Sequence, residues 1–356
     1  MSSPGSSEKI ALYARFALIL HAIVLIILLL YFGKILFIPL FFSLLLAILL
    51  HPVARYFEKL HLGRGIAAAL SVLIFVLFII GFIYFFSVEL ARFTKDLPHL
   101  KERFTLLLQD LQNWVSYKYH INTESQKAYI SKSSNQLASQ AISSIGTTFL
   151  GVLEILVMTI LIFVFTFFIL LHRRLLVQFL FSLFKRDENS KVQEVVMNTR
   201  SVINSYVIGL FVEMFVLIVL SFPALALLGI KYALLLSVMA AVLNVIPYLG
   251  IYSAAALGML ITFANGNGTG ALEVGILFIV IHTIDANLLL PKIVGGRVKI
   301  NPLIILTAIL AGRLIWGIPG MFLFIPLTAI IRIISEAVDA MKPWAILIGE
   351  EGRKIP

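Results

Sequence analysis

The sequence contains no cysteine among its 356 residues, which excludes disulfide bonds, thiolate metal sites and cysteine nucleophiles. Charged residues are also scarce, at 13% of the total, whereas ordinary soluble domains have about 25%. Catalytic signatures are missing as well, since the chain has no HExxH, no GxSxG and no Walker loop. From these absences we expect a protein that is not an enzyme and that carries no organic cofactor.

Apolar residues take the place of the missing charge. They make up 60% of the chain, and the mean hydropathy is +1.03. A spanning helix needs about 20 mostly apolar residues, and several segments meet this requirement. We therefore predict an all-α, polytopic membrane protein whose main partner is the lipid bilayer. The net charge of +10 comes from basic residues between apolar segments, as in cytoplasmic loops, so we expect no nucleic-acid binding.

Four apolar segments of spanning length occupy the first half, at residues 10–32, 35–57, 66–88 and 149–171. The joints "HPVARYFEKLHLGR" and "HRRLLVQFLFSLFKR" are basic, so the positive-inside rule places both in the cytoplasm, together with the N-terminus. These features divide the first half into three regions. They are spans one to three (1–88), an external polar helical insert (89–148), and a fourth span followed by cytoplasmic amphipathic helices (149–204).

The stretch "NVIPYLG", residues 244–250, interrupts the apolar segment that follows a fifth span at 206–228. Residues 232–246 would make a helix of about 22 Å, too short for a hydrocarbon core of about 30 Å. Segment 232–263 is therefore either one broken span or a hairpin that enters and leaves the membrane on the same side. The positive-inside rule favours the hairpin, because the later basic loop "PKIVGGRVK" then faces the cytoplasm.

The same shape recurs at residues 302–335, where "GRLIWGIPG" breaks another apolar segment. The predicted transport core, 205–340, then holds a span and a re-entrant hairpin, followed by the span 271–290 and a second hairpin of opposite orientation. Transporters with such inverted repeats bind substrate where broken helices meet, although a structural kink with nothing bound is the alternative. The prediction totals eight hydrophobic segments, about six spanning helices and two re-entrant hairpins, with a cytoplasmic tail at 341–356.

Three stretches of the C-terminal half resemble the autoinducer-2 exporter family, also called PerM-like permeases. They are "NVIPYLG", "HTIDANLLLPKIVGGRVKINP" and "LAGRLIWGIPGMFLFIPLTAIIR". The resemblance covers the whole chain in layout and implies a homo-oligomeric transporter of the bacterial inner membrane. Some members look like sodium/proton antiporters. The chain departs from the family pattern in two places: His282 and Asp285 stand where the family usually has glutamine and glutamate, and Ile251 stands where a second proline often follows.

Polar residues at predicted membrane depth are the candidates for a binding site. An acid inside a span costs about 3 kcal/mol on insertion scales and indicates function, which favours Asp285. His282 shares its helix face, and histidine is the residue type that exchanges protons near neutral pH. The alternative is a structural pair, such as a salt bridge from Asp285 to Arg313. The full predicted substrate or ion site is Asn244, Pro247, Tyr248, Gly250, His282, Asp285, Asn287 and Arg313, with Glu213 and the possible helix cap Asn301 as second candidates.

These observations leave three functions open. The first is secondary export of a small polar solute such as autoinducer-2, by an alternating-access, elevator-like movement of the core against the first four spans. The second is sodium/proton exchange, which the acid and the histidine would support without an organic substrate. The third is a non-transporting membrane scaffold, or an intramembrane hydrolase that uses Asp285. A coupling ion, Na⁺ or H⁺, is the one bound species besides the solute that these hypotheses need.

Overall fold

The computed structural model describes residues 12–119, 154–245, 249–289, 292 and 300–350. Helices and short turns make up these ranges, together with one isolated antiparallel β-bridge between Ile300 and Gly349. The predicted all-α class is confirmed. The helices are α1 (Leu12–Phe32), α2 (Lys34–Lys59), α3 (Arg64–Tyr119), α4 (Glu154–Ser182), α5 (Asn189–Leu227), α6 (Ala233–Leu243), α7 (Leu249–Ala264), α8 (Gly268–Ile284, continued by a π-helical turn at Asp285–Leu289), α9 (Pro302–Ala337) and α10 (Lys342–Ile348).

Within those ranges, 6 helical segments are long and apolar enough to cross a membrane. The number agrees with the prediction and confirms a polytopic protein, but the set differs from the predicted one. The apolar part of α1, Ala17–Phe32, falls among the shorter apolar helices together with α6 and α7. In its place α9 counts as one long helix, although Gly317 has non-helical backbone angles inside it.

Two predicted boundaries lie inside continuous helices. α3 runs unbroken for 56 residues, about 84 Å at 1.5 Å per residue, so the third span continues directly into the predicted external insert. α4 likewise continues past residue 171 to Ser182, through part of the basic stretch "HRRLLVQFLFSLFKR". Residues 120–148 of the insert and 149–153 at the start of the fourth span lie outside the described ranges.

The helices share three apolar cores, and α5 takes part in two of them. One core joins α2, α3 and α4. A second joins α2 and the N-terminal half of α5, around Tyr206, to α9 and α10. The third joins the C-terminal half of α5, around Leu217, to α6, α7 and α8. We call the third of these the first-hairpin core, which consists of α6, α7, α8 and the C-terminal half of α5. The N-terminal half of α5 connects it to the core around Tyr206.

α6 and α7 form a helix hairpin around the break in "NVIPYLG". A Cβ on Gly250 would lie 2.1 Å from the carbonyl oxygen of Ala240, and a Cβ on Gly258 would lie 3.2 Å from a methyl carbon of Leu236. Residue 250 thus meets residue 240, while residue 258 meets the earlier residue 236, which is antiparallel packing. Only glycine fits at position 250, because the atoms it touches belong to the backbone.

α9 also folds back on itself, at Gly317, whose φ of 65° and ψ of −140° lie outside the helical region. A Cβ on Gly312 would lie 2.2 Å from the carbonyl oxygen of Gly320, whereas residues eight apart on a straight helix are separated by about 12 Å. The two arms therefore meet at this glycine pair. The segment is a second hairpin, and its arms can approach closely because Gly312 and Gly320 have no side chains.

The ends of the second hairpin meet at the same place, which supports the chain reversal. The backbone N–H of Asn301, before the first arm, donates to the carbonyl oxygen of Ile348 at 3.0 Å. A Cβ on the next residue, Gly349, would lie 3.8 Å from Nε of Arg332 near the end of the second arm. The chain thus reverses at both predicted breaks, whereas the re-entrant hairpins and their entry into the membrane from opposite sides stay predictions.

Candidate functional site

Asp285 lies where α8 loses its regular hydrogen bonding. It begins the π-helical turn Asp285–Leu289 and is buried. A π turn places one extra residue in the helix and often marks a functional site. Here it sets the carboxyl group into the first-hairpin core instead of toward the outer face of α8. The acid that the sequence favours is therefore inside the protein.

Glu213 is the second acid of the site. It lies within α5, in a segment that is otherwise apolar, and it is buried. From the sequence, Glu213 was only a second candidate for the binding site, because no spacing or motif relates it to Asp285. The structure brings the two acids together across the contact between α5 and α8.

Asn244 joins the two acids. It caps the C-terminal end of α6, where the helix breaks. Its Nδ2 group donates to Oε1 of Glu213 at 3.0 Å and to Oδ2 of Asp285 at 3.1 Å. Carboxylate oxygens accept and do not donate, so these two partners fix the orientation of the amide. Residues Glu213, Asn244 and Asp285 are called the carboxyl cluster below.

The carboxyl cluster contains three buried oxygens without a donor. They are Oε2 of Glu213, Oδ1 of Asn244 and Oδ1 of Asp285, and none has a hydrogen-bond partner among the residues that the structure describes. Buried polar groups in proteins are nearly always paired, and an unpaired buried carboxylate costs several kcal/mol. The cluster can therefore accept hydrogen bonds from a further donor or bind a positively charged group through these oxygens.

His282 lies one turn before Asp285 on α8 and is half-buried. Its ring centre is 5.2 Å from that of Tyr252 on α7. This contact places the imidazole between α7 and α8, next to the carboxyl cluster. Asn287 follows on the same helix but is exposed, and its amide donates to the carbonyl oxygen of Thr283 at 2.8 Å. The amide of Asn287 thus forms a hydrogen bond within α8 and, among the residues that the structure describes, none with the carboxyl cluster.

The residues of the second hairpin lie apart from the carboxyl cluster. Arg313 is exposed, and no ion pair joins it to Asp285 in the part of the chain that the structure describes. At the tip, Nε1 of Trp316 donates to the carbonyl oxygen of Leu30 in α1 at 2.8 Å. The second hairpin packs on α1, α2 and α5. The structure therefore gives no support to a salt bridge between Arg313 and Asp285.

The remaining candidates have structural roles or fall outside the described ranges. Gly250 allows the close approach of α6 and α7. Asn301 is the N-cap of α9, since its Oδ1 accepts from the N–H of Leu303 at 2.9 Å, which agrees with the capping alternative. Pro247 and Tyr248 lie in the undescribed stretch 246–248.

Two polar contacts that the sequence did not predict join helices that are distant along the chain. Asp96 of α3 accepts hydrogen bonds from Nζ of Lys231 and from the hydroxyl of Tyr232, and the ring of Tyr232 packs edge-on against Phe93. This latch ties α3 to the start of the first hairpin, and its hydrogen bond raises the pKa of Lys231. On α4, Arg173 donates to both carboxylate oxygens of Glu58 at 2.5 Å.

The chain is similar to a family of transporters over most of its length. The family described as "AI-2E family transporter" matches residues 20–340. The chain is 27% identical to "Putative transport protein YrrI" of Bacillus subtilis, over 84% of this chain and 86% of that protein. It is 26% identical to "Putative transport protein MT0215" of Mycobacterium tuberculosis, over 95% and 93%. It is 21% identical to "Putative transport protein YhhT" of Escherichia coli K12, over 88% and 87%.

Proposed function

The chain belongs to the AI-2E family of transporters, and we propose that it is a secondary transporter that exports a small polar solute across the bacterial inner membrane. The family resemblance suggests autoinducer-2 as that solute. We further propose that the N-terminus is cytoplasmic and that the protein works as a homo-oligomer embedded in the bilayer.

One observation carries this proposal: the amide of Asn244, at a helix break, is held between Glu213 and Asp285 from two other helices. Broken helices line the sites of many transporters, because the break frees polar backbone and side-chain groups for binding. A kink that served only packing would need no acids, and two buried acids are costly to retain in a membrane segment. The carboxyl cluster is therefore the best candidate for the transport site.

The packing supports a moving unit. The first-hairpin core has its own set of apolar contacts, while α2, α3 and α4 are held together by a separate set. We propose that the first-hairpin core moves against α1–α4 in an elevator-like manner, so that the carboxyl cluster opens to one side of the membrane at a time. The latch at Asp96 and the contact of Trp316 with Leu30 must then loosen or move with their partners.

The test is a flux measurement in proteoliposomes. Vesicles are loaded with labelled autoinducer-2, and its release is followed for the wild type, for Asp285→Asn and for Glu273→Gln. Glu273 is an exposed acid at the start of the same helix, so its variant controls for loss of a charge on α8. We expect release from the wild type and the control well above protein-free vesicles, and at least tenfold less from Asp285→Asn.

The opposite results are equally clear. Wild-type release equal to that of protein-free vesicles would exclude autoinducer-2 as a solute. Unchanged release in Asp285→Asn would remove the carboxyl cluster from the transport path. A scaffold protein would give the first of these results for every solute tried, while still folding normally.

A further inference from the structure

Arginine side chains gather where α2, α3 and α4 meet at one end of their shared core. A Cβ on Gly65 would lie 3.9 Å from a methyl carbon of Leu171, which places the start of α3 against α4. Slightly further along α4, Arg173 donates to both carboxylate oxygens of Glu58 near the end of α2. These contacts bring the three helices together close to the predicted ends of the second, third and fourth spans.

The carboxylate of Glu58 faces more than one arginine. Besides Arg173, both Arg64 of α3 and Arg174 of α4 lie near enough for their charges to act on it. Arg173 already occupies both carboxylate oxygens. Arg64 and Arg174 are exposed, and neither forms an ion pair with an acid in the part of the chain that the structure describes. Their guanidinium groups are therefore available to a ligand.

His51 extends the same surface toward α5. It lies two turns before Glu58 and thus on the same face of α2. Nη2 of Arg200 donates to Nδ1 of His51 at 3.0 Å. A guanidinium has no acceptor, so the ring nitrogen accepts and the imidazole is neutral. The charges of Arg55 and Arg173 also act on this ring, so positive charge continues from α4 across α2 to α5.

We call these side chains the arginine cluster, and its members are Arg55, Arg64, Arg173, Arg174 and Arg200. The contacts above set the one carboxylate of Glu58 against these guanidinium groups. Guanidinium groups bind phosphate through paired hydrogen bonds, and basic pockets between spanning helices bind the headgroups of anionic lipids. The charge of the cluster therefore complements an anionic phosphate group.

The surface beside the arginine cluster is apolar. α4 continues beyond Arg174 with Leu175 and Phe179, which are one turn apart, and Leu183 follows the end of the helix. These three side chains are 62%, 58% and 60% exposed. A soluble phosphate ion would leave them in water, whereas the acyl chains of a phospholipid would cover them. The predicted span ends are also the level at which lipid headgroups lie.

We propose that the arginine cluster binds the phosphate group of an anionic phospholipid, whose acyl chains lie along Leu175 and Phe179. The site goes beyond the proposed function, because it requires neither a solute nor a moving hairpin. A bound lipid would hold this end of α2, α3 and α4 at the membrane surface. The lipid would then anchor the part against which the first-hairpin core moves, and this consequence alone rests on the proposed function.

The experiment measures lipid binding by the purified, full-length protein in an uncharged detergent. Melting temperatures are recorded with increasing dioleoyl phosphatidylglycerol, which is anionic, and with dioleoyl phosphatidylcholine, which has the same chains and no net charge. Inorganic phosphate is compared with sodium chloride at equal ionic strength. A ligand that binds only the folded state raises the melting temperature with its concentration. We expect a rise of several degrees with phosphatidylglycerol and little change with the other two.

A triple variant assigns the effect to the arginine cluster. Arg55, Arg64 and Arg174 are replaced together by glutamine, because all three are exposed and form no ion pair with a described acid. Each basic residue near an anionic surface contributes a factor of about five in binding, so the affinity for phosphatidylglycerol should fall by about tenfold or more.

The matched control removes the same charge elsewhere. It carries glutamine at three exposed basic positions outside the cluster, which are Lys34, Lys95 and Arg103. Its affinity for phosphatidylglycerol should stay within about twofold of the wild type, since the basic residues nearest the site are kept. If the triple variant fails to fold, Arg174→Gln alone should still weaken binding by about fivefold.

Four results would each overturn the proposal. They are equal shifts with the two phospholipids, a shift with inorganic phosphate as large as that with phosphatidylglycerol, unchanged affinity in the cluster variants, and equal losses in the triple variant and its control. The second result would assign the cluster to a soluble anion. None of these measurements uses solute flux, so failure of the lipid site and failure of the proposed function are distinguishable.

Discussion

Asn244 is the residue on which the candidate site depends most. It is a single amide donor between two acids, and its side chain links the broken end of α6 to α5 and α8. An amide can serve two carboxylates at once because its nitrogen carries two protons. No other described side chain donates to Glu213 or Asp285.

Replacing Asn244 by leucine, which has a similar size, should therefore destabilise the protein. Both acids lose their donor while they stay buried, which costs about 1–3 kcal/mol for each buried polar group left unpaired. Thermal unfolding in detergent measures the change. Asn287→Leu is the control, because Asn287 is exposed and bonds only to its own helix, and it should change the stability by less than about 0.5 kcal/mol. Equal effects of the two variants would contradict this account.

For single residues, the sequence identified the two acids and Asn244 as candidates but not the hydrogen bonds that pair them. Asp285 stands out because an acid in a spanning helix is costly, and it is indeed buried beside the helix break. Glu213 carries the same signal but was ranked lower, since its partners lie 31 residues away at Asn244 and beyond it on α8. A hydrogen bond over that separation depends on how the helices pack, which one sequence does not specify.

The two hairpins are the elements that shape the molecule, and glycine makes both possible. Their arms approach so closely that a Cβ at Gly250, Gly312 or Gly320 would overlap backbone atoms. The proline and glycine residues in "NVIPYLG" and "GRLIWGIPG" predicted the breaks. The membrane depth of each break depends on contacts with lipid, which the pattern of glycine and proline does not encode.

Gly250→Ala should open the first hairpin. Its Cβ would lie 2.1 Å from Ala240 O and 2.2 Å from Asn244 N, so α6 and α7 must separate and the hydrogen bonds of Asn244 must lengthen. We expect a loss of stability of about 1–3 kcal/mol, typical of overpacking, together with loss of flux. Gly81→Ala is the matched control, because a Cβ there meets nothing within 4 Å and alanine favours helix. A Gly250→Ala protein as stable as the control would show that the close approach is absent.

The latch between α3 and the first hairpin should depend on pH through Lys231. Its hydrogen bond to Asp96 raises the pKa of Lys231, so the stability it adds is complete below the ordinary lysine pKa of about 10.4. That stability is lost as the pH rises through the elevated value. Lys231→Met should therefore lower the stability slightly at pH 7–9, by no more than an exposed ion pair is worth, about 1 kcal/mol. The difference from the wild type should disappear once the pH exceeds the raised pKa of Lys231.

Lys95→Met is the control for the latch, since Lys95 is an exposed lysine next to Asp96 on α3. It should leave the melting temperature unchanged across this range. A difference between wild type and Lys231→Met that grows as the pH rises would have the wrong sign for the latch.

In the whole molecule, the first-hairpin core and the α2–α3–α4 core are distinct sets of apolar contacts, and α5 connects the first-hairpin core to the core around Tyr206. Length, composition and the positions of glycine and proline were enough to predict an all-α polytopic protein and two breaks in its apolar segments. The continuity of α3 from Arg64 to Tyr119 was missed, because polar composition after residue 88 suggested a boundary. A change from apolar to polar composition marks where a helix leaves lipid, not where the helix ends.

The predicted membrane topology can be tested directly, since the native chain has no cysteine. Single cysteines at positions 267 and 297 are labelled with a membrane-impermeant thiol reagent in intact cells and in inverted vesicles. The double-hairpin topology places position 267 outside and position 297 inside, because "PKIVGGRVK" is basic. Labelling of position 297 in intact cells would contradict that topology.

The central claim is that Glu213 and Asp285 act together as the transport site, and a double-mutant cycle of solute flux tests it most directly. The flux of labelled autoinducer-2 is measured for Glu213→Gln, Asp285→Asn and the double variant, each at equal protein in proteoliposomes. Groups that act as a unit are non-additive, so the account predicts that each single variant falls to the same residual flux as the double variant. Independent, multiplicative losses, or full flux in either single variant, would contradict it.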